Sequence, residues 1–347
     1  MKNKIITISL DAMGGDFGPD SVVPAALEVV ENYTYVKLIL TGDEKLLNEK
    51  LAEYQSNSSA DCLSRINIQN TTQVVGSNEA PSSALRGKKD SSMRVAINLV
   101  KEGVADANVS AGNTGALMAT ARFVLKMLPG IDRPAICSAL PTTKGHTHVL
   151  DLGANVETSP DGLYEFAVMG SALVSALDNN ERPSVGLLNI GEEEIKGNES
   201  VKEAAKILSE SDLNYIGYVE GDGIYMGDAD VVVCDGFVGN ISLKSSEGVA
   251  KLFTHFLKQS FMRNIFTKLV GLLVQPVLKS LKKKLDPREY NGASFLGLQG
   301  IVVKSHGGAD AYAFRKSIEV AIQEVKQNVP ARITEILETK LNQRQAG

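Results

Sequence analysis

Glycines, asparagines, aspartates, a lysine and a histidine stand at the ends of apolar runs in this chain, and the pattern recurs. The run over 5–10 breaks into Asp11-Ala12-Met13-Gly14-Gly15-Asp16. Later breaks read Ser110-Ala111-Gly112-Asn113-Thr114-Gly115, Asp151-Leu152-Gly153-Ala154-Asn155 and Asn189-Ile190-Gly191 with Lys196-Gly197. Two more follow, Asp235-Gly236-Phe237-Val238-Gly239-Asn240 and Lys304-Ser305-His306-Gly307-Gly308. Gly14 and Gly15 admit positive φ and close backbone approach, so their amides can line an anion or a carbonyl oxygen. Neutral amides and carboxamides hold an oxyanion better than they move protons. Any one junction reads equally as a plain strand-to-helix turn. Together they point to one crevice at the carboxyl edge of a sheet.

The elements that must position these junctions alternate. Strands are expected over 36–41, 65–69, 107–110, 184–190 and 230–234, and helices over 43–54, 91–102, 114–127, 160–177 and 199–209. Runs over 135–140 and 147–152 read as adjacent strands joined at Lys144-Gly145. The nearly pure valine run at 230–234 suits a strand covered on both faces. The fold class is therefore α/β: a doubly wound, largely parallel sheet with helices on both faces. After Asn240 the pattern turns helical over 242–285, interrupted at Gly248, Gly271 and Pro276. The chain is read as one α/β unit, 1–347, with a helical extension over 241–289 for dimerisation and membrane contact.

Composition excludes several classes. With 347 residues and 43% hydrophobic content the chain can bury a large core, and a net charge of -5 argues against a general nucleic-acid binder. The three cysteines lack CxxC spacing. Cys137 and Cys234 lie in apolar runs, so buried free thiols and a reducing compartment are expected. No signal-peptide core or membrane-span-length apolar run is present. A P-loop, a dinucleotide fingerprint and a GxSxG elbow are absent. His146, His148, His255 and His306 have no metal-ligand spacing with a cysteine; His146 and His148 are expected to be solvated on a strand edge. No metal and no cofactor is called for.

Between Lys258 and Arg288 stand eight basic residues, Lys279, Lys282, Lys283 and Lys284 among them, and one acid, Asp286. Leu269, Leu272, Leu273 and other apolar residues lie between them. Three readings stay open: a helical hairpin buried in a dimer, an amphipathic segment on an anionic membrane surface, and a docking surface for an acidic protein.

The six junctions, with Arg133-Pro134-Ala135, the Gly186–Glu193 stretch and Tyr290-Asn291-Gly292-Ala293, resemble in order and wording the PlsX family, the bacterial phosphate acyltransferases of phospholipid synthesis. The resemblance spans about residues 8–310; Ser294-Phe295 departs from it, where Pro-Leu is expected. It implies a cytoplasmic homodimer, peripherally associated with the inner face of the cell membrane, related in fold to isocitrate and isopropylmalate dehydrogenases and to phosphotransacetylases. It implies conversion of long-chain acyl-(acyl carrier protein) and orthophosphate to acyl phosphate, handed to a membrane glycerol-3-phosphate acyltransferase. On that reading Gly14, Gly15, Gly112, Asn113, Thr114, Gly115 and Asn155 hold phosphate or substrate, and Asp11 and Asp16 orient the loop. Lys196 and Asn240 stabilise developing negative charge and His306 protonates the leaving thiolate. Lys196 reads equally as a solvated loop lysine, and His306 as a structural cap. Two other classes remain in play: a carrier-protein or lipid-binding module without chemistry, and a decarboxylating dehydrogenase needing a metal.

Overall fold

Val231 and Val233 enter one hydrophobic core and Val232, between them, enters another. Successive side chains of a strand point to opposite faces, so this run needs cover on both. The same logic governs the whole chain, a computed structural model of which describes residues 5–54 and 59–346, leaving aside the side chains of 282–285 and 339–346. The strands are β1 (Ile6–Asp11), β2 (Val36–Gly42), β3 (Ile66–Asn70), β4 (Ala107–Ser110), β5 (Ala135–Thr142) and β6 (Gly145–Leu150). They continue with β7 (Ser184–Leu188), β8 (Asn214–Val219), β9 (Val231–Val233), β10 (Ala293–Leu296) and β11 (Ile301–Lys304). Among the described residues they form one sheet, ordered β3-β2-β1-β4-β11-β10-β5-β6-β9-β7-β8.

Pairing is parallel from β3 to β11 and again from β6 to β8. Between these blocks β10 pairs antiparallel with β11 and β5, and β5 pairs antiparallel with β6. The sheet is thus mostly parallel with an antiparallel seam, and the two blocks run in opposite senses. On one face the Pro19–Asn32 and Ala311–Gln327 helices cover Ile8, Leu10, Val109 and Val303, while the Pro160–Leu177 helix covers Leu150, Val185 and Val233. The opposite face is one core running from Met93 and Leu117 through Val302 and Phe295 to Val149 and Val232. Cys62, Cys137 and Cys234 are buried free thiols.

The helical extension differs from expectation in its breaks. The first helix starts at Gly236, where the Asp235 carboxylate accepts the Val238 amide, and runs unbroken through Gly248 to Met262. The break falls at Asn264, which forms a capping box with Thr267 and opens Ile265–Leu273. Gly271 lies inside that helix and Pro276 sits in the first turn of Gln275–Leu285, where its missing N–H is no loss. Phe253, Phe256, Ile265, Phe266 and Val277 are exposed along this hairpin.

The departure at Ser294 has a partner. Ser294 Oγ donates to Glu324 Oε1, and both are buried. Burial pushes the Glu324 carboxyl up to about 7. The fold therefore favours the protonated acid, and this group's contribution declines as pH rises from its ordinary range of 4.5, levelling off above about 7. Glu324→Gln is expected to raise stability at pH 8 by up to about 3 kcal/mol and to flatten the decline between pH 5 and 7. Melting temperatures across that range check it; parallel curves for parent and variant would count against the assignment.

Candidate active site

Two sets of junctions emerge from the contacts, rather than the single crevice expected. The first gathers the carboxyl ends of β1, β4 and β11, which the parallel register sets side by side as Asp11, Ser110 and Lys304. Asp11 is buried; its Oδ2 accepts from Ser110 Oγ at 2.7 Å, and Ser110 Oγ in turn accepts the Gly112 amide at 3.0 Å. The Asp16 amide donates to Gly307 O at 2.8 Å, closing the first loop over the third. A side chain at Gly14 would stand 2.6 Å from Asp11 Oδ2 and 2.8 Å from the Gly112 nitrogen, while Gly15 holds φ at +85° against Gly307 O. Glycine is required here because backbone meets backbone.

Beneath these loops lies Lys304. Its Nζ donates to Ala111 O at 3.2 Å and to Ser305 O. Burial pulls its ammonium down to about 8 against the attraction of Asp11 and Asp16, with Lys244 adding repulsion. Burial also raises the Asp11 carboxyl, opposed by hydrogen bonds and by the Lys304 charge. The His306 amide donates to Asn291 Oδ1 at 3.0 Å, and Asn291 is itself held by Ser305, Ala313 and Ser317. His306 Nδ1 accepts the Gly308 amide at 3.0 Å, which leaves Nε2 as the protonated nitrogen of the neutral ring. Burial and the cations Lys244, Lys304 and Lys251 hold that ring below its ordinary range.

Asn113 serves the fold at this site. Its Oδ1 caps the Thr114–Leu125 helix through the Ala116 amide, and its Nδ2 donates to Ser77 O and Glu79 O. Thr114 is exposed at the first turn, where the amides of Thr114 and Gly115 lack intrahelical partners and carry the positive end of the helix dipole. Asp16 is exposed beside the same loops.

The second set surrounds Asp151, at the carboxyl end of β6. Its carboxylate accepts the amides of Ile136, Gly153, Ala154 and Asn155 at 2.7–3.2 Å and the Asn155 carboxamide at 3.0 Å. Asn155 is buried and gives its other amide hydrogen to Pro134 O at 2.8 Å. Asn240 packs against Gly153 and sits in the first turns of the Gly236–Met262 helix, exposed. That helix connects the two sets, since it leaves Asp151's neighbours and brings Lys244, Glu247 and Lys251 into the field of His306.

Lys196 stands apart from both, on the loop after β7. Its Nζ pairs with Glu193 at 2.7 Å, which raises its ammonium, and Asn189 binds its backbone carbonyl. β7 and β11 are five strand spacings apart, about 24 Å along the sheet. Of the surface residues, Leu269, Leu272, Leu273 and Lys279 are exposed; the side chains of Lys282, Lys283 and Lys284 lie outside the described residues. The expectation that His148 is solvated is corrected: strand residues two apart share a face, and here that face lies under the end of the Pro160–Leu177 helix, burying His148. The residue the sequence reading passed over is Lys304. Its signal was a lysine closing the apolar run 301–303, two residues before His306.

Residues 6–332 match the family described as Fatty acid synthesis protein. A phosphate acyltransferase of Nitrosococcus oceani is 60% identical over 340 residues, 98% of this chain and 99% of that protein. Another, from Legionella pneumophila (strain Corby), is 57% identical over 344 residues, 99% of each. Among solved structures, a phosphotransacetylase from Streptococcus pyogenes superposes with a TM-score of 0.62 at 17% identity, covering 94% of this chain and 95% of that one. The EutD phosphotransacetylase from Staphylococcus aureus gives 0.58 at 19% identity, covering 93% and 94%. At such identities the likeness is one of fold. The relatives define an acyltransferase that works with phosphate. The chain belongs to the Fatty acid synthesis protein family, among the PlsX phosphate acyltransferases.

Proposed function

We propose that this protein transfers the acyl group of a long-chain acyl-(acyl carrier protein) to orthophosphate, releasing acyl phosphate and the carrier thiol. The observation that carries the reading is the half-buried, partly desolvated Lys304 cation beneath the glycine loops of β1, β4 and β11, with the neutral His306 ring beside it. A thiolate whose acid has a pKa of about 8.5 is a tolerable leaving group and hydrogen phosphate an adequate nucleophile. Positioning and charge stabilisation are what the protein must supply. Lys304, the Gly14 and Gly15 loop and the amides of 112–115 hold the phosphate oxygens. One oxygen attacks the thioester carbon, the tetrahedral intermediate expels sulfur, and His306 Nε2–H delivers a proton to it. The attacking hydrogen phosphate restores that proton to the ring, so the charges balance.

Asn240 and Lys196 are assigned to the developing oxyanion, which requires the loop after β7 to carry Lys196 across the sheet toward β11 and to exchange Glu193 for substrate. Lys196→Met is expected to lower turnover at least ~100-fold; near-normal turnover in the folded variant removes Lys196 from the mechanism. The experiment for the reaction is carrier-thiol release from acyl-(acyl carrier protein) with and without orthophosphate, in the presence of a chelator, with acyl phosphate trapped by hydroxylamine. Phosphate-independent release, or none, would overturn the reading. Metal-dependent release would favour the dehydrogenase-like alternative.

The exposed apolar hairpin over 236–285 favours a second element of this reading: it joins two copies of the chain and its tip rests on an anionic membrane, where the membrane glycerol-3-phosphate acyltransferase takes the product. No described helix is long and apolar enough to cross a membrane. Leu272 and Leu273 are 65% and 81% exposed at the end of the second hairpin helix. Leu272→Glu with Leu273→Glu should abolish flotation with anionic vesicles and spare turnover in solution. Continued flotation of that variant sinks the membrane-tip role.

A further inference from the structure

We infer that His146, His148 and Asp178 form a binding site for a zinc ion, separate from the transferase loops. The two histidines are two apart on β6 and share one face. Asp178, which caps the carboxyl end of the Pro160–Leu177 helix, meets them there. His146 Nε2 lies 2.9 Å and His148 Nδ1 3.9 Å from Asp178 Oδ2, and one ligand atom from each residue falls within 4.8 Å of the other two. Tetrahedral ligands held about 2.1 Å from a zinc ion stand about 3.4 Å apart, and the two measured separations bracket that value.

The independent observation is His148. It is 5% exposed, and its Nδ1 is buried without a hydrogen-bond partner. A buried ring nitrogen left unpaired is costly, and a cation shared with Asp178 would satisfy it. Two imidazoles and one carboxylate suit zinc, whereas magnesium and calcium prefer all-oxygen sites. His146 and Asp178 are partly exposed, so an ion has a route in and a water can complete the fourth position. Nearby Asp230, whose Oδ2 accepts from Ser184 and Asn180, is not part of the cluster. The ion would pin the end of the long helix to the start of β6, at the opposite end of that strand from Asp151.

Titration of metal-free, tag-free protein with zinc chloride by calorimetry tests the assignment, with cobalt absorption as a second readout of the ligand geometry. The expected result is one equivalent bound, affinity reduced at least ~100-fold by His146→Ala and by Asp178→Ala, and no change in His255→Ala. Zinc should raise the melting temperature of the parent and leave that of His146→Ala unmoved. Absence of stoichiometric binding to the folded parent overturns the site, as does binding that survives both substitutions. Neither result bears on phosphate-dependent thiol release, which is read in chelator.

Discussion

Lys304→Met is expected to lower phosphate-dependent turnover by at least ~100-fold while the protein remains folded. The lysine is half-buried, and methionine fills nearly the same volume without the charge. Desolvation of the ammonium offsets its hydrogen bonds to the Ala111 and Ser305 carbonyls, so its removal should leave stability near that of the parent. What is lost is the cation at the floor of the glycine loops, whose charge acts on Asp11 and, after that of Lys244, on His306. The pH profile adds a signature. With its ammonium pulled down to about 8, Lys304 is charged below that pH and neutral above it. The KM for orthophosphate should therefore rise above about pH 8 in the parent and stay flat in Lys304→Met. Unchanged turnover in a folded variant, or a KM that falls with pH, would contradict the placement of phosphate on Lys304.

Asp151→Ala should have the largest effect on stability, at least about 4 kcal/mol. Its carboxylate accepts four backbone amides and the Asn155 carboxamide, and it ties the start of β5 to the loop after β6. Truncation leaves the Ile136 and Asn155 donors buried and unpaired at about 1–3 kcal/mol each, and relaxation recovers only part of that. The neighbourhood has little room to relax, since a side chain at Gly239 would stand 1.9 Å from Asp151 O. Soluble yield and thermal midpoint decide the matter; a midpoint close to that of the parent would show that the loop holds without its anchor. Asn155→Ala removes one of the same hydrogen bonds together with that to Pro134 O, and should fall between the parent and Asp151→Ala.

Most strands and the glycine junctions were legible because their signals are local; β8 and β10 were not expected. An apolar run of period two or none, closed by glycine and a helix cap, declares β1, β4, β6 and β9 without reference to the rest of the chain. Asp235 and Asn113 as caps belong to the same class of signal. Pairing is not local. Nothing near residue 301 states that β11 lies beside β4, almost two hundred residues earlier, so the burial of Lys304 could not be read from its own neighbours. For the same reason the division of the junctions into two sets was hidden, as it depends on β10 and β5 running against their neighbours. His148 failed by the same route: its cover comes from a helix that ends thirty residues further on.

The late arrival of β11 has a consequence for synthesis. While a ribosome is still making the segment beyond residue 290, β4 presents an open sheet edge and the Pro19–Asn32 helix lacks the Ala311–Gln327 helix that packs against it. Unpaired edges recruit other strands, so the nascent amino-terminal half is a natural client for holding factors until its last strand emerges. No translation product that stops before residue 301 can complete the cluster of loops after β1, β4 and β11.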